Sequence, residues 1–333
     1  MSNLPNTSKK ILANTDQLGA LVQQGSTLHQ QGDLIKAQEV YKQILSIQSD
    51  NFDALQLFGI LSAQTKNYLK AVELFSKALK INPNHADTFN NLGIALKELS
   101  RPDEALTSFD RSIAINPDSA DSYNNRGNIL QALSRPDEAL TSFDHAIAIN
   151  PDFTSAYFNR GNTFNTLKQF DKALSSFDRA IATNPGFGIA YKNRGDTLMA
   201  LDRFDEALAS FDQAILAGKG YADLFSNRGV ALKNLNRPNE ALDSYDQAIA
   251  NDPNYATAYY NRGNILQTLK RLDKAMLHTI KRLPLIQIMP LLITIEVESL
   301  MTLNALMKPL LPTIKRLLLT EAMLMHFLIA ALF

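Results

Sequence analysis

Six asparagines, Asn91, Asn125, Asn159, Asn193, Asn227 and Asn261, stand 34 residues apart. A primary amide carries two donors and an acceptor, so a row of amides at one pitch can pair with the peptide units of an extended chain whatever its side chains. Asparagine is a mediocre helix former, so its recurrence needs a reason beyond propensity. The plainer readings are a tolerated polar residue on an exposed face and recent duplication of one unit. Asn128, Asn162, Asp196 and Asn264 each follow a periodic glycine and are expected on the same side. Tyr260, Phe158 and Lys192 occupy one variable slot beside the asparagines and could tune specificity.

Other chemistry is sparse. His29, His85, His145, His278 and His326 are isolated, and no His/Asp/Glu set has metal-ligand spacing. Cysteine is absent, which excludes a thiolate nucleophile and a sulfur-built zinc site. The glycines recur singly, not as a phosphate-binding loop. Asp103-Glu104 and Asp137-Glu138 read as carboxylates opposing a helix dipole at its start. A binding protein without catalytic residues, cofactor or metal is expected.

Arginine follows the asparagine at Arg126, Arg160, Arg194, Arg228 and Arg262. It could form an anion-binding stripe. It could instead lay its stem over a neighbouring helix and pair with Asp110, Asp144, Asp178, Asp212 or Asp246. The second reading is favoured, because aspartate repeats with the same period.

The elements that must position these residues follow from that period. Glycine recurs at Gly25, Gly59, Gly93, Gly127, Gly161, Gly195, Gly229 and Gly263. Twelve residues on stands alanine, from Ala37 to Ala275, and four further an aromatic: Tyr41, Phe75, Phe109, Phe143, Phe177, Phe211, Tyr245. A second aromatic precedes most glycines by four, as at Phe89 and Tyr157, and proline closes most units, as at Pro83 and Pro253. Small residues let two helices approach, and aromatics fill the space beside them. Ser100-Arg101-Pro102-Asp103, repeated from Ser134, suggests a capping box opening the second helix. Asn82-Pro83 and its copies should end that helix. One such hairpin cannot bury its apolar face alone, so neighbours must stack.

This spacing resembles the tetratricopeptide repeat (TPR) over about residues 18–277. The resemblance implies an all-α helix-turn-helix solenoid, a right-handed superhelix whose concave groove is lined by the first helices. The units run 18–51, 52–85, 86–119, 120–153, 154–187, 188–221, 222–255 and an incomplete 256–277, after a polar segment 1–17. The first unit departs at Gln24 and Ser49, and the sixth ends in Gly218-Lys219-Gly220, where a looser junction is expected. The repeats also resemble the TPR arm of bacterial O-GlcNAc transferase-like proteins, in which an asparagine at this slot holds the main chain of an extended polypeptide. The expected function is therefore a non-catalytic scaffold for a protein or peptide segment; the alternative is a substrate-recruiting arm without its glycosyltransferase domain. The lysine-asparagine set of a two-carboxylate clamp is not found.

The 333 residues carry no net charge, which argues against a nucleic-acid partner. No signal-peptide pattern opens the chain, so a reducing, cytoplasmic setting is expected. From His278 to Phe333 the repeat gives way to an irregular hydrophobic tail. Pro284, Pro290, Glu296, Glu298, Lys308 and Pro309 interrupt any membrane span. Yet Thr279-Ile280-Lys281-Arg282-Leu283 recurs as Thr313-Ile314-Lys315-Arg316-Leu317, again 34 residues on. A shifted reading frame does this. The codons spanning His278 to Met289 permit tyrosine-aspartate-glutamine-alanine-isoleucine-alanine, and then asparagine-proline-asparagine-tyrosine. Those runs match Tyr245–Ala250 and Pro253-Asn254-Tyr255. The tail is expected to be out-of-frame repeats after loss of one base near codons 276–278; the alternative is an amphipathic anchor.

Overall fold

The computed structural model describes residues 6–218 and 220–268, with side chains from 17 to 267. The chain divides into two compact units, Met1–Pro185 and Gly186–Phe333. The first holds α1 (Asn6–Gln30), α2 (Leu34–Ile47), α3 (Phe52–Gln64), α4 (Tyr68–Ile81), α5 (Ala86–Glu98), α6 (Pro102–Ile115), α7 (Ala120–Ala132), α8 (Pro136–Ile149), α9 (Thr154–Thr166) and α10 (Phe170–Thr183). The second holds α11 (Gly188–Ala200), α12 (Phe204–Ala217), α13 (Ala222–Asn234), α14 (Pro238–Asn251) and α15 (Ala256–Thr268). All described regular structure is helical. From α3 onward, first helices have 13 residues and second helices 14. The architecture is a solenoid of helical hairpins, as the spacing required. Helix α1 is longer, because the polar stretch before the first repeat continues into it.

Each hairpin closes on one contact. A Cβ built on Gly59 would lie 2.5 Å from Phe75 Cε1, and one on Gly161 would lie 2.6 Å from Phe177 Cε1. Gly25, Gly93, Gly127, Gly195 and Gly229 meet Tyr41, Phe109, Phe143, Phe211 and Tyr245 in the same way. The rings are fully buried, as are the alanines four residues before them. A ring therefore rests on bare backbone, which lets the two helices come close while burying about 2–3 kcal/mol worth of apolar surface per aromatic.

The turn inside the hairpin differs from expectation. Ser100 and Ser134 do not open a capping box. Their φ angles are 57° and 58°, in the left-handed region. The Arg101 N–H donates to Leu96 O at 3.0 Å and the Ser100 N–H to Lys97 O at 2.9 Å, the bonding pattern of a Schellman motif that ends α5. The serine is thus consumed by the helix before it. Arg101 takes the N-cap position of α6 without a side-chain cap. Its guanidinium grips Glu104 through Nε and Nη2, both at 2.7 Å. Gly32 marks the same slot at φ 81°, and Lys66, Lys168, Asp202 and Asn236 tolerate it. In the early hairpins Asp33 and Asn67 cap through their side chains.

The end of the second helix is as expected. Asn82 is extended, and its Oδ1 accepts from Asn84 N at 3.1 Å. Asn116, Asn150 and Asp252 do the same. Helix α12 ends at its usual length with Gly218 in the capping place, so this helix stops in step without proline.

Gly161→Ala is expected to lower stability by about 1–3 kcal/mol through overpacking against Phe177. Gly19→Ala, whose added carbon meets nothing within 4 Å, should raise stability slightly. Urea midpoints of the two variants check this.

Candidate functional site

First helices stand beside first helices: α3, α5, α7 and α9 in one unit, α11, α13 and α15 in the other. The six periodic asparagines lie one on each first helix from α5 to α15, all half-buried. Asn125 donates through Nδ2 to Asn90 Oδ1 at 3.0 Å, and Asn159 to Asn124 Oδ1 at 3.0 Å. In the second unit Asn227 donates to Asp196 Oδ1 at 2.7 Å. The carboxylate fixes that amide, since only its N–H group can face Asp196. These bonds link successive first helices. They use one N–H of each donor asparagine, and a primary amide has a second N–H and an acceptor oxygen for other work. The linking role was missed in the sequence; the signal was the polar residue before the preceding asparagine, at Asn90 and Asn124. Asn128, Asn162 and Asn264 follow their glycines on α7, α9 and α15 and are also half-buried.

The variable slot differs from repeat to repeat. Phe158 and the exposed Tyr260 offer aromatic surface. Lys192 binds Asp196 at 2.9 Å and Asp223 at 3.2 Å. Burial pulls the Lys192 ammonium down, but the two carboxylates more than reverse this and hold it above the ordinary lysine value. A cation shared by two aspartates, next to Asn227, makes this stretch charged where the first unit presents neutral amides.

The periodic arginines pair as favoured. Arg126, Arg228 and Arg262 donate from Nε to Asp110, Asp212 and Asp246, each at 2.6 Å. Arg160 reaches Asp144 through Nη1 at 2.7 Å. Each pair joins a first helix to the second helix of the preceding hairpin. The sequence did not reveal the third member. Arg126 Nη1 also donates to Ser142 Oγ at 2.7 Å, and Ser142 Oγ donates to Glu138 O at 2.9 Å. Ser176, Ser210 and Ser244 serve Arg160, Arg194 and Arg228. A buried serine is silent in a hydropathy pattern, but its 34-residue recurrence was readable. In the earlier hairpins Leu92 and Phe58 fill the arginine slot, and Leu74 and Val40 the serine slot.

The residues above also carry the kinship. Sequence profiles described as tetratricopeptide repeat match residues 18–51, 52–85 and 190–217, 74–107, and 120–153 and 154–187. A profile described as TPR repeat matches 233–270. A stack of hairpins with this contact set defines a helical-repeat protein. The chain belongs to the tetratricopeptide-repeat family. Among solved structures it is similar to PilW, described as a widely conserved type IV pilus biogenesis factor: 25% identity, 62% of this chain, 96% of that chain, TM-score 0.56. It shares its fold with a tetratricopeptide repeat protein from Parabacteroides merdae (18% identity, 75% of this chain, 99% of that chain, TM-score 0.56). It also shares its fold with PilF of Pseudomonas aeruginosa (20% identity, 62% and 94%, TM-score 0.56). None of the curated protein sequences matches. Among the described residues no helix is long and apolar enough to cross a membrane, and no His/Asp/Glu group could hold a metal ion.

Asp144→Ala leaves Arg160 with Ser176 and the face of the Tyr157 ring. With the Asp144 side chain 58% exposed, the expected cost is about 1 kcal/mol at low salt. Most of it should vanish near about 1 M sodium chloride, where the Debye length is about 3 Å. Urea unfolding at the two salt concentrations checks this.

Proposed function

We propose that within each unit the side-by-side first helices form a trough that holds an extended polypeptide segment, and that the chain acts there as a non-catalytic scaffold. The observation that carries this is the line of amides bridging helix to helix: Asn125 to Asn90, Asn159 to Asn124, Asn227 to Asp196. Each bridge orients an amide while leaving it further donor or acceptor capacity. Peptide units can take up that capacity regardless of the ligand's side chains. Asn91 extends the row of the first unit, with Asn128 and Asn162 beside it; Asn193 and Asn261 extend that of the second, with Asn264 beside it. Phe158, Tyr260 and the Lys192–Asp223 pair then grade the trough by side-chain type. The TPR fold itself supports an interaction role, since stacked hairpins present long continuous faces. The second reading, the substrate-recruiting arm of an O-GlcNAc-type glycosyltransferase, rests on the same asparagine slot and calls for a nucleotide-sugar-binding domain elsewhere.

An array of unstructured peptides and their scrambled counterparts tests the reading. The chain should bind scrambled peptides as well as their parents, because the backbone is what is held. Asn125→Ala/Asn159→Ala/Asn193→Ala should lose at least about tenfold in affinity, some 1.4 kcal/mol. Asn90→Ala, which removes a bridge but spares the row itself, should lose less. Circular dichroism melting of both variants reports whether they stay folded. Unchanged binding by a folded triple variant would contradict the proposal.

A further inference from the structure

The contacts that close and join the hairpins recur at one sequence distance. An aromatic ring covers the glycine 16 residues before it, as Phe143 covers Gly127 and Tyr245 covers Gly229. A serine accepts from the arginine 16 residues before it, as Ser142 does from Arg126 and Ser244 from Arg228. An aspartate binds the arginine 16 residues after it, as Asp246 binds Arg262. On α15 this rule asks for a serine at position 278, to meet Arg262, and an aromatic at 279, to cover Gly263. The chain has His278 and Thr279 there. Gly263 is only partly buried, whereas Gly59, Gly93, Gly127, Gly161, Gly195 and Gly229 are all buried. Helix α15 thus carries the socket of a hairpin whose matching residues the chain does not encode in its own frame.

We infer that this face of α15 is the docking surface for a TPR second helix encoded one base out of frame, beginning near codon 276. The codons say what that helix contains. The triplet formed by the last base of Leu277 and the first two of His278 permits serine. The triplet across His278 and Thr279 can encode only tyrosine or histidine. The next, across Thr279 and Ile280, permits the aspartate expected 16 residues before an arginine. That arginine falls on the triplet across Ile295 and Glu296, which can encode only arginine or a stop.

Methionine has a single codon, so some triplets are forced outright. Met289 with Pro290 forces alanine, on the slot of Ala86, Ala120, Ala222 and Ala256. Met307 with Lys308 forces glutamate, on the slot of Glu104, Glu138, Glu206 and Glu240. Met325 with His326 forces alanine, on the slot of Ala156, Ala190 and Ala258. Met301 with Thr302 forces aspartate on a slot that varies, from Glu98 through Ala132 to Asn234. A tail selected as an anchor has no reason to meet these slots in a frame it does not use.

The experiment has a gene arm and a protein arm. The nucleotide sequence should encode serine and tyrosine at the shifted positions 278 and 279; any other pair overturns the inference. In the chain as it stands, Gly263→Ala should leave the urea midpoint unchanged or slightly raised, because the residue 16 on is Thr279 and not an aromatic. With the one base restored, the same substitution should lower the midpoint as far as Gly161→Ala does. A full-sized loss from Gly263→Ala in the unrestored chain would overturn the inference, since it would mean that in-frame residues already fill the socket.

Discussion

The structure depends on an aromatic ring lying against a glycine that has no side chain to keep it away. That contact brings the first and second helices of each hairpin closer than any other residue at the glycine slot would allow. It also sets which residues meet across the hairpin, because the ring sits 16 residues after the glycine in each repeat from Gly25 to Gly229. Once that offset is fixed, the arginine before the glycine meets the serine before the ring. One hydrophobic contact per repeat therefore places the polar ties as well. It does so without a large core: each hairpin buries a few alanines, one or two rings and their flanking aliphatics, and relies on its neighbours for the rest.

The polar ties are modest in energy and specific in geometry. An arginine whose side chain is largely covered, gripping an aspartate about half exposed, contributes about 1 kcal/mol or less. Its value lies in direction, since a planar fork accepts few arrangements. Where arginine and serine are both present, as at Arg126 and Arg160, three bonds connect consecutive hairpins: arginine to aspartate, arginine to serine and serine to backbone. The asparagine bridges add a second tie on the neighbouring face. A protein built this way repeats its surface along with its core, so an amide row becomes available as soon as one unit carries a suitable amide.

Much of this was legible in the residues, because the period survives every substitution. The glycine, alanine and aromatic slots located each hairpin, and the shared period of arginine and aspartate identified their pairing. What escaped was local. Ser100 looked like a cap because its spacing to Asp103 fits one, but the three-residue link between α5 and α6 has a single left-handed residue, and Ser100 is that residue. Gly32 held the clue, as glycine is the residue that best accepts that conformation. The buried serines escaped because a small hydroxyl residue looks the same in sequence whether it caps, packs or accepts from a guanidinium. The asparagine bridges escaped because the partner is out of phase with the repeat, 35 residues away for Asn125 and Asn159 and 31 for Asn227.

Native-state hydrogen exchange on Phe143→Leu, which removes the ring from Gly127 and keeps an apolar side chain, addresses the central claim most directly. If the ring–glycine contact organises one hairpin and its neighbours only through the ties, protection should fall most in α7 and α8, less in α6 and α9, and little in α1 to α4. A loss spread evenly over α1 to α10, or no loss in α7 at all, would contradict the account.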